Sequence, residues 1–81
     1  MNIYLISQSV NSGYDTFDSA IVAAESEDKA RNTHPYTYGR WEDGQDYSGA
    51  WAAIDEIKVE FIGTAKEGTE AGVICASFNA G

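Results

Sequence analysis

His34 and Cys75 are the only imidazole and the only thiol of this chain, so acid–base and nucleophilic chemistry have few places to reside. Histidine titrates near neutrality and is the usual general base, but it needs a nucleophile within reach and a group to orient it. None of the seven serines stands in a G-x-S-x-G elbow. His34 lies beside Pro35 at the end of an expected helix, where a histidine more often caps the last carbonyls and offsets the dipole. Cys75 sits in the apolar run VICA without a basic neighbour in sequence, which predicts an inert core thiol. One cysteine and one histidine cannot supply the three or four ligands of a zinc site.

Carboxylates offer two further options. Glu42, Asp43 and Asp46, with Gly44 among them, resemble a calcium loop in composition. They lack the ligand spacing and the closing bidentate Glu of an EF-hand, so a solvated acidic loop is the expectation. Asp15 and Asp18 are close enough in sequence for paired-carboxylate work, but so short a chain offers little cleft. The glycines form no phosphate-binding loop. No cofactor is expected, and the chain reads as a binding protein rather than an enzyme.

The densest feature is the stretch 34–51, HPYTYGRWEDGQDYSGAW, which holds five of the ten aromatic residues. Tyr36, Tyr38, Trp41, Tyr47 and Trp51 stand there among Arg40, Glu42, Asp43 and Asp46. Neither a period of 2 nor one of 3.6 runs through it. Three roles suit such rings. They cap a small core, as large side chains in short domains do. They form a protein-binding surface, with Tyr and Trp as rigid contacts and carboxylates as a complementary rim. Or they stack on a planar ligand such as a nucleotide, in a site between chains of an oligomer.

These residues must be positioned by elements legible on either side. With 81 residues the chain makes one domain, and it buries only about 60–65% of its unfolded surface. Residues 3–10 read as a strand, and 16–25 as a second that pairs with it antiparallel across the turn residues Asn11–Gly13. Ser26 is a good N-cap for a short helix over 27–33, with Glu27 and Asp28 in its first turn. Ala30 must rest on the sheet, where the small Ala23 and Ala24 allow close approach. Residues 57–65 form the clearest strand, and 73–79 the last. Gly63, Gly68 and Gly72 suit bulges or turns. SGAWAAIDEI fits either a helical turn or the lead-in to a strand. The expectation is an α+β domain, an antiparallel sheet of about four strands (β-β-α-β-β) with one short helix on one face.

The formal charge of −8, from thirteen acids and five bases, argues against direct nucleic-acid or anionic-membrane contact and suits a basic partner. The single cysteine predicts a reducing cytoplasm. The start MNIYLISQSV lacks a basic region, and no apolar run approaches the roughly 20 residues of a membrane span. An exposed sheet edge can pair in a homodimer, though nothing in the sequence fixes this.

Two segments, YLISQSVNSGYDTFDSAIVAAESEDKAR and VEFIGTAKEGTEAGVICASFNAG, resemble a family of short uncharacterised proteins encoded by phages and prophages. The strand-to-helix step IVAAESEDKAR also looks like the layout of some small anti-CRISPR proteins, a likeness of fold rather than of site. The resemblance implies a cytoplasmic protein of an infected bacterium that acts by binding a host protein, such as a defence nuclease or its nucleic-acid-binding subunit. It brings no catalytic residues, and it leaves the segment Tyr36–Trp51 unassigned.

Overall fold

Four antiparallel strands in the order β5-β1-β2-β6 form the main sheet of the computed structural model, which describes residues 1–80. β1 spans Asn2–Ser7, β2 Thr16–Ala24, β5 Lys58–Thr64 and β6 Gly72–Asn79. The first two strands pair as a hairpin, Asn2 opposite Ala24 and Ser7 opposite Ser19, and take the centre of the sheet. The last two become its edges. The domain is α+β, as expected.

Alternation decides what is buried. Tyr4 and Ile6 of β1 and Ala20, Val22 and Ala24 of β2 point to one face, where they meet Ala30, Trp51, Ala52 and Ile57. β1 is shorter than the apolar pattern suggests and ends at Ser7. The reason is Gln8, whose buried side chain turns the chain. Its Oε1 accepts from the N–H groups of Val10 and Asn11, and its Nε2 donates to the carbonyls of Asn11 and Phe17. Val10, expected on a strand face, is therefore exposed. A register shift between Phe17 and Ser19 also breaks strict alternation in β2 and lets Phe17 pack against the core cluster.

α1 spans Glu27–Arg31. Ser26 caps it through its hydroxyl on the Lys29 N–H, and Ala30 is fully buried against the sheet as its small size permits. The helix stops two residues earlier than expected because Asn32 closes it, with its N–H on the Asp28 carbonyl. His34 is not the cap. Arg31 reaches across to donate to the Ile57 carbonyl and so ties the helix to the start of β5. The undecided stretch before β5 contains a 3-10 turn, Ile54–Glu56.

Among the described residues, no helix or loop covers the second face of the sheet. Cys75, expected in the core, is exposed there, because β6 is an edge strand and its outer side is uncovered. Among the described residues no helix is long and apolar enough to cross a membrane.

Candidate partner-binding surface

The aromatic stretch is more regular than its composition suggests. Trp41–Glu42 (β3) and Gln45–Asp46 (β4) pair as a miniature hairpin, Trp41 opposite Asp46 and Glu42 opposite Gln45. The two loop residues, Asp43 and Gly44, have φ of 49° and 80°. Two successive positive φ values are what a type I′ turn requires, and Asp-Gly is among its preferred pairs. The acids that resembled a calcium loop are thus hairpin residues. Asp-Gly is a strong short-range hairpin signal, but it is masked here by flanks without alternating apolar residues.

Asp46 organises the loop. Its Oδ1 accepts from His34 Nε2 at 2.9 Å, from the Ser48 N–H at 3.1 Å and from the Ser48 hydroxyl at 2.8 Å. Its Oδ2 accepts from the Trp51 N–H at 2.8 Å. The side chains of His34 and Asp46 are each only 6% exposed. Burial pushes the Asp46 carboxyl up, but the hydrogen bonds from His34, Trp51 and Ser48 outweigh it and hold the group below the usual aspartate value.

His34 is oriented from both sides. Its Nδ1 accepts the Tyr36 N–H at 3.1 Å, so Nε2 carries the proton given to Asp46. Its ring also lies 4.8 Å from that of Trp41, centre to centre. With both nitrogens engaged, the ring has no free position for a substrate proton. Ser48 donates to Asp46 rather than to His34, so these three side chains do not form a nucleophilic relay.

Gly39 is part of the same arrangement. A methyl group on it would stand 2.1 Å from His34 Cε1 and 2.3 Å from Nδ1. The ring cannot withdraw from both Trp41 and Asp46 without losing those contacts. Gly39→Ala is therefore expected to cost roughly 1–3 kcal/mol as an overpacking change. Urea denaturation would show this as a lower midpoint, and an unchanged midpoint would mean that the ring has room to move.

The nine residues singled out from sequence now divide by environment. Trp51 is 1% exposed and lies in the core. Trp41 is half-buried against that core and donates Nε1 to the Ala52 carbonyl at 2.8 Å. Asp46 points inward, as described. These three hold the loop, and of them only Trp41 keeps part of its side-chain surface open. Tyr36, Tyr38, Arg40, Glu42, Asp43 and Tyr47 face outward. Tyr38 is 82% exposed and Tyr47 64%. The Arg40 guanidinium lies 4.5 Å above the Tyr47 ring, a cation–π contact that stiffens both side chains.

Sequence reasoning missed the residues that anchor this platform to the sheet. Asn11, in the β1–β2 loop, donates Nδ2 to the carbonyls of Gly49 and Trp51. The Phe17 N–H donates to the Ala50 carbonyl. A row of rings also runs from the loop to the sheet edge. Tyr38 meets Tyr36 edge-on at 5.8 Å, Tyr36 lies 6.4 Å from Phe17, and Phe17 lies 4.8 Å from Phe78 on β6.

Beside that row is a cleft of about 320 Å³ lined by Asp15, Tyr36, Ser48, Ala50 and Phe78. No basic side chain lines it, so a nucleotide phosphate would meet no counter-charge there. Comparison with protein-family models, with curated proteins and with solved structures finds no match to this chain.

Proposed function

We propose that this protein acts by stoichiometric binding to a partner protein, through Tyr36, Tyr38, Tyr47 and Arg40 with Glu42 and Asp43 as an acidic rim. The observation that carries this reading is the pairing of exposure with rigidity. Tyr38 and Tyr47 are largely exposed, yet they project from a segment pinned by the Asp46 and Asn11 hydrogen bonds. Rings held in place lose little entropy on binding, which is why Tyr anchors are common at interface centres.

The phage resemblance supplies the setting. In it the partner is a host protein in the cytoplasm of an infected bacterium, a basic, nucleic-acid-binding component of a defence system that this chain inhibits. The charge of −8 favours encounter with such a surface.

A Tyr38→Ala/Tyr47→Ala/Asp43→Asn variant tests the reading. Its unfolding midpoint is expected to stay close to that of the unsubstituted chain, because none of the three side chains is buried. Its recovery of a partner from host lysate is expected to fall by at least tenfold. If both versions recover the same protein equally, or neither recovers any, the proposal fails.

A further inference from the structure

The two edges of the main sheet are built differently. β5 carries Lys58 and Glu60. Charged side chains on an edge strand oppose pairing with another chain. β6, GVICASFN, is eight residues long and has neither a charge nor a proline. Although the chain has thirteen acids, no charged side chain occurs after Glu70. Val73, Ile74 and Phe78 are all substantially exposed on β6. As the outermost strand it also leaves the outward half of its backbone N–H and C=O groups without a strand partner. One register shift falls at Ile74, near its start, and the other, opposite Ser77 and Phe78, places its extra residue, Asp18, on β2 rather than on β6.

We infer that two copies of this chain pair antiparallel through β6, joining their sheets into one of eight strands. A second copy fits better than a basic partner because the strand offers no carboxylate for a basic group to recognise. An uncharged strand also lets two chains of charge −8 meet without placing like charges in the seam. Antiparallel self-pairing is two-fold symmetric, and the charged β5 edges stop the sheet from growing further. The two-fold axis stands normal to the sheet, so both tyrosine surfaces lie on the same side of the dimer. Pairing does not depend on what those surfaces bind.

Cys75 is exposed and is the only thiol, which makes it a reporter of the seam. For any register centred between residues 75 and 77, the two Cys75 Cα atoms lie within roughly 15 Å of each other, given strand rise and spacing. The full chain is expected to sediment as a dimer and to give a cross-linked dimer with a bis-maleimide of that span. Ile74→Lys/Ser77→Lys places lysines along the seam at two exposed positions. It is expected to sediment as a monomer, lose the cross-link and keep its far-ultraviolet circular dichroism. A monomeric unsubstituted chain, larger open-ended assemblies, or a dimer that survives the lysines without cross-linking would each overturn the inference. A dimer lost instead on Leu5→Lys would place the contact on the open sheet face and overturn it too. Should the lysine variant not fold, cross-linking of the unsubstituted chain decides alone.

Discussion

Trp51→Ala is expected to leave this protein at the margin of folding. Trp51 is the largest of the fully buried side chains, and it joins the loop to Tyr4, Ile6, Val22 and Ala30 in one cluster. Truncating a buried Trp to Ala costs roughly 3–5 kcal/mol, through lost transfer energy and the cavity left behind. A domain of this size has roughly 4–12 kcal/mol in total. At about 4–8 °C per kcal/mol, the thermal midpoint should fall by about 12 °C or more. The comparison with Trp51→Phe sharpens the test. The indole Nε1 is buried without a hydrogen-bond partner among the described residues, so removing it ends an unmet desolvation cost while most of the ring volume stays. Phe should therefore cost much less than Ala, about 1.5 kcal/mol or under, as for other near-conservative core changes. If Ala and Phe destabilise equally, or if Ala costs under about 1 kcal/mol, Trp51 does not join loop to sheet in this way.

Asp46→Asn should be the second most damaging change. The carboxylate accepts four hydrogen bonds and donates none. An amide turns one of its two oxygens into a donor, which then faces either the Trp51 N–H or the His34 and Ser48 donors. A loss of roughly 2–4 kcal/mol is expected for a buried charged acceptor with this many partners. The effect has a pH signature. The folded-state value of Asp46 lies below its ordinary one, so its contribution is fully present above the unfolded value of about 3.9. It is lost as pH falls through the lower folded value. The stability gap between the unsubstituted chain and Asp46→Asn should thus be constant near neutrality and narrow below about pH 4. Urea melts of both proteins from pH 7 down to pH 3 measure it. A gap that persists unchanged into acid would show that the carboxylate charge is not what holds the loop. Freeing this loop should also weaken partner binding, although Asp46 itself is buried.

These two side chains show where sequence reading reached its limit. Both stood out by type, as a ring and an acid in one crowded stretch, and both belonged to the expected partner surface, with core capping as the other role open to Trp51. Their burial depends on bonds to residues far off in the chain. Asn11 holds the Trp51 carbonyl across forty positions, and Asp46 accepts a hydrogen bond from His34 across twelve. Local pattern carries no trace of such pairings, because any exposed loop has Asn, Asp and His in similar proportion.

What the sequence determined by itself is the scaffold. Period-2 alternation in β1 and β2, the β-branched run of β5, the Ser26 cap and the small Ala30 are local facts. They set strand and helix before any long-range contact forms. What only the tertiary structure decided is the standing of the stretch 34–51 and of Cys75. Tyr38 and Trp51 are both large rings in the same loop, yet only Trp51 is buried. The order β5-β1-β2-β6 puts the last strand at an edge, so an apolar run that reads as interior lies open instead. Hydrophobicity fixes which side chains gain from burial, while the order of strands in the sheet fixes which of them receive it.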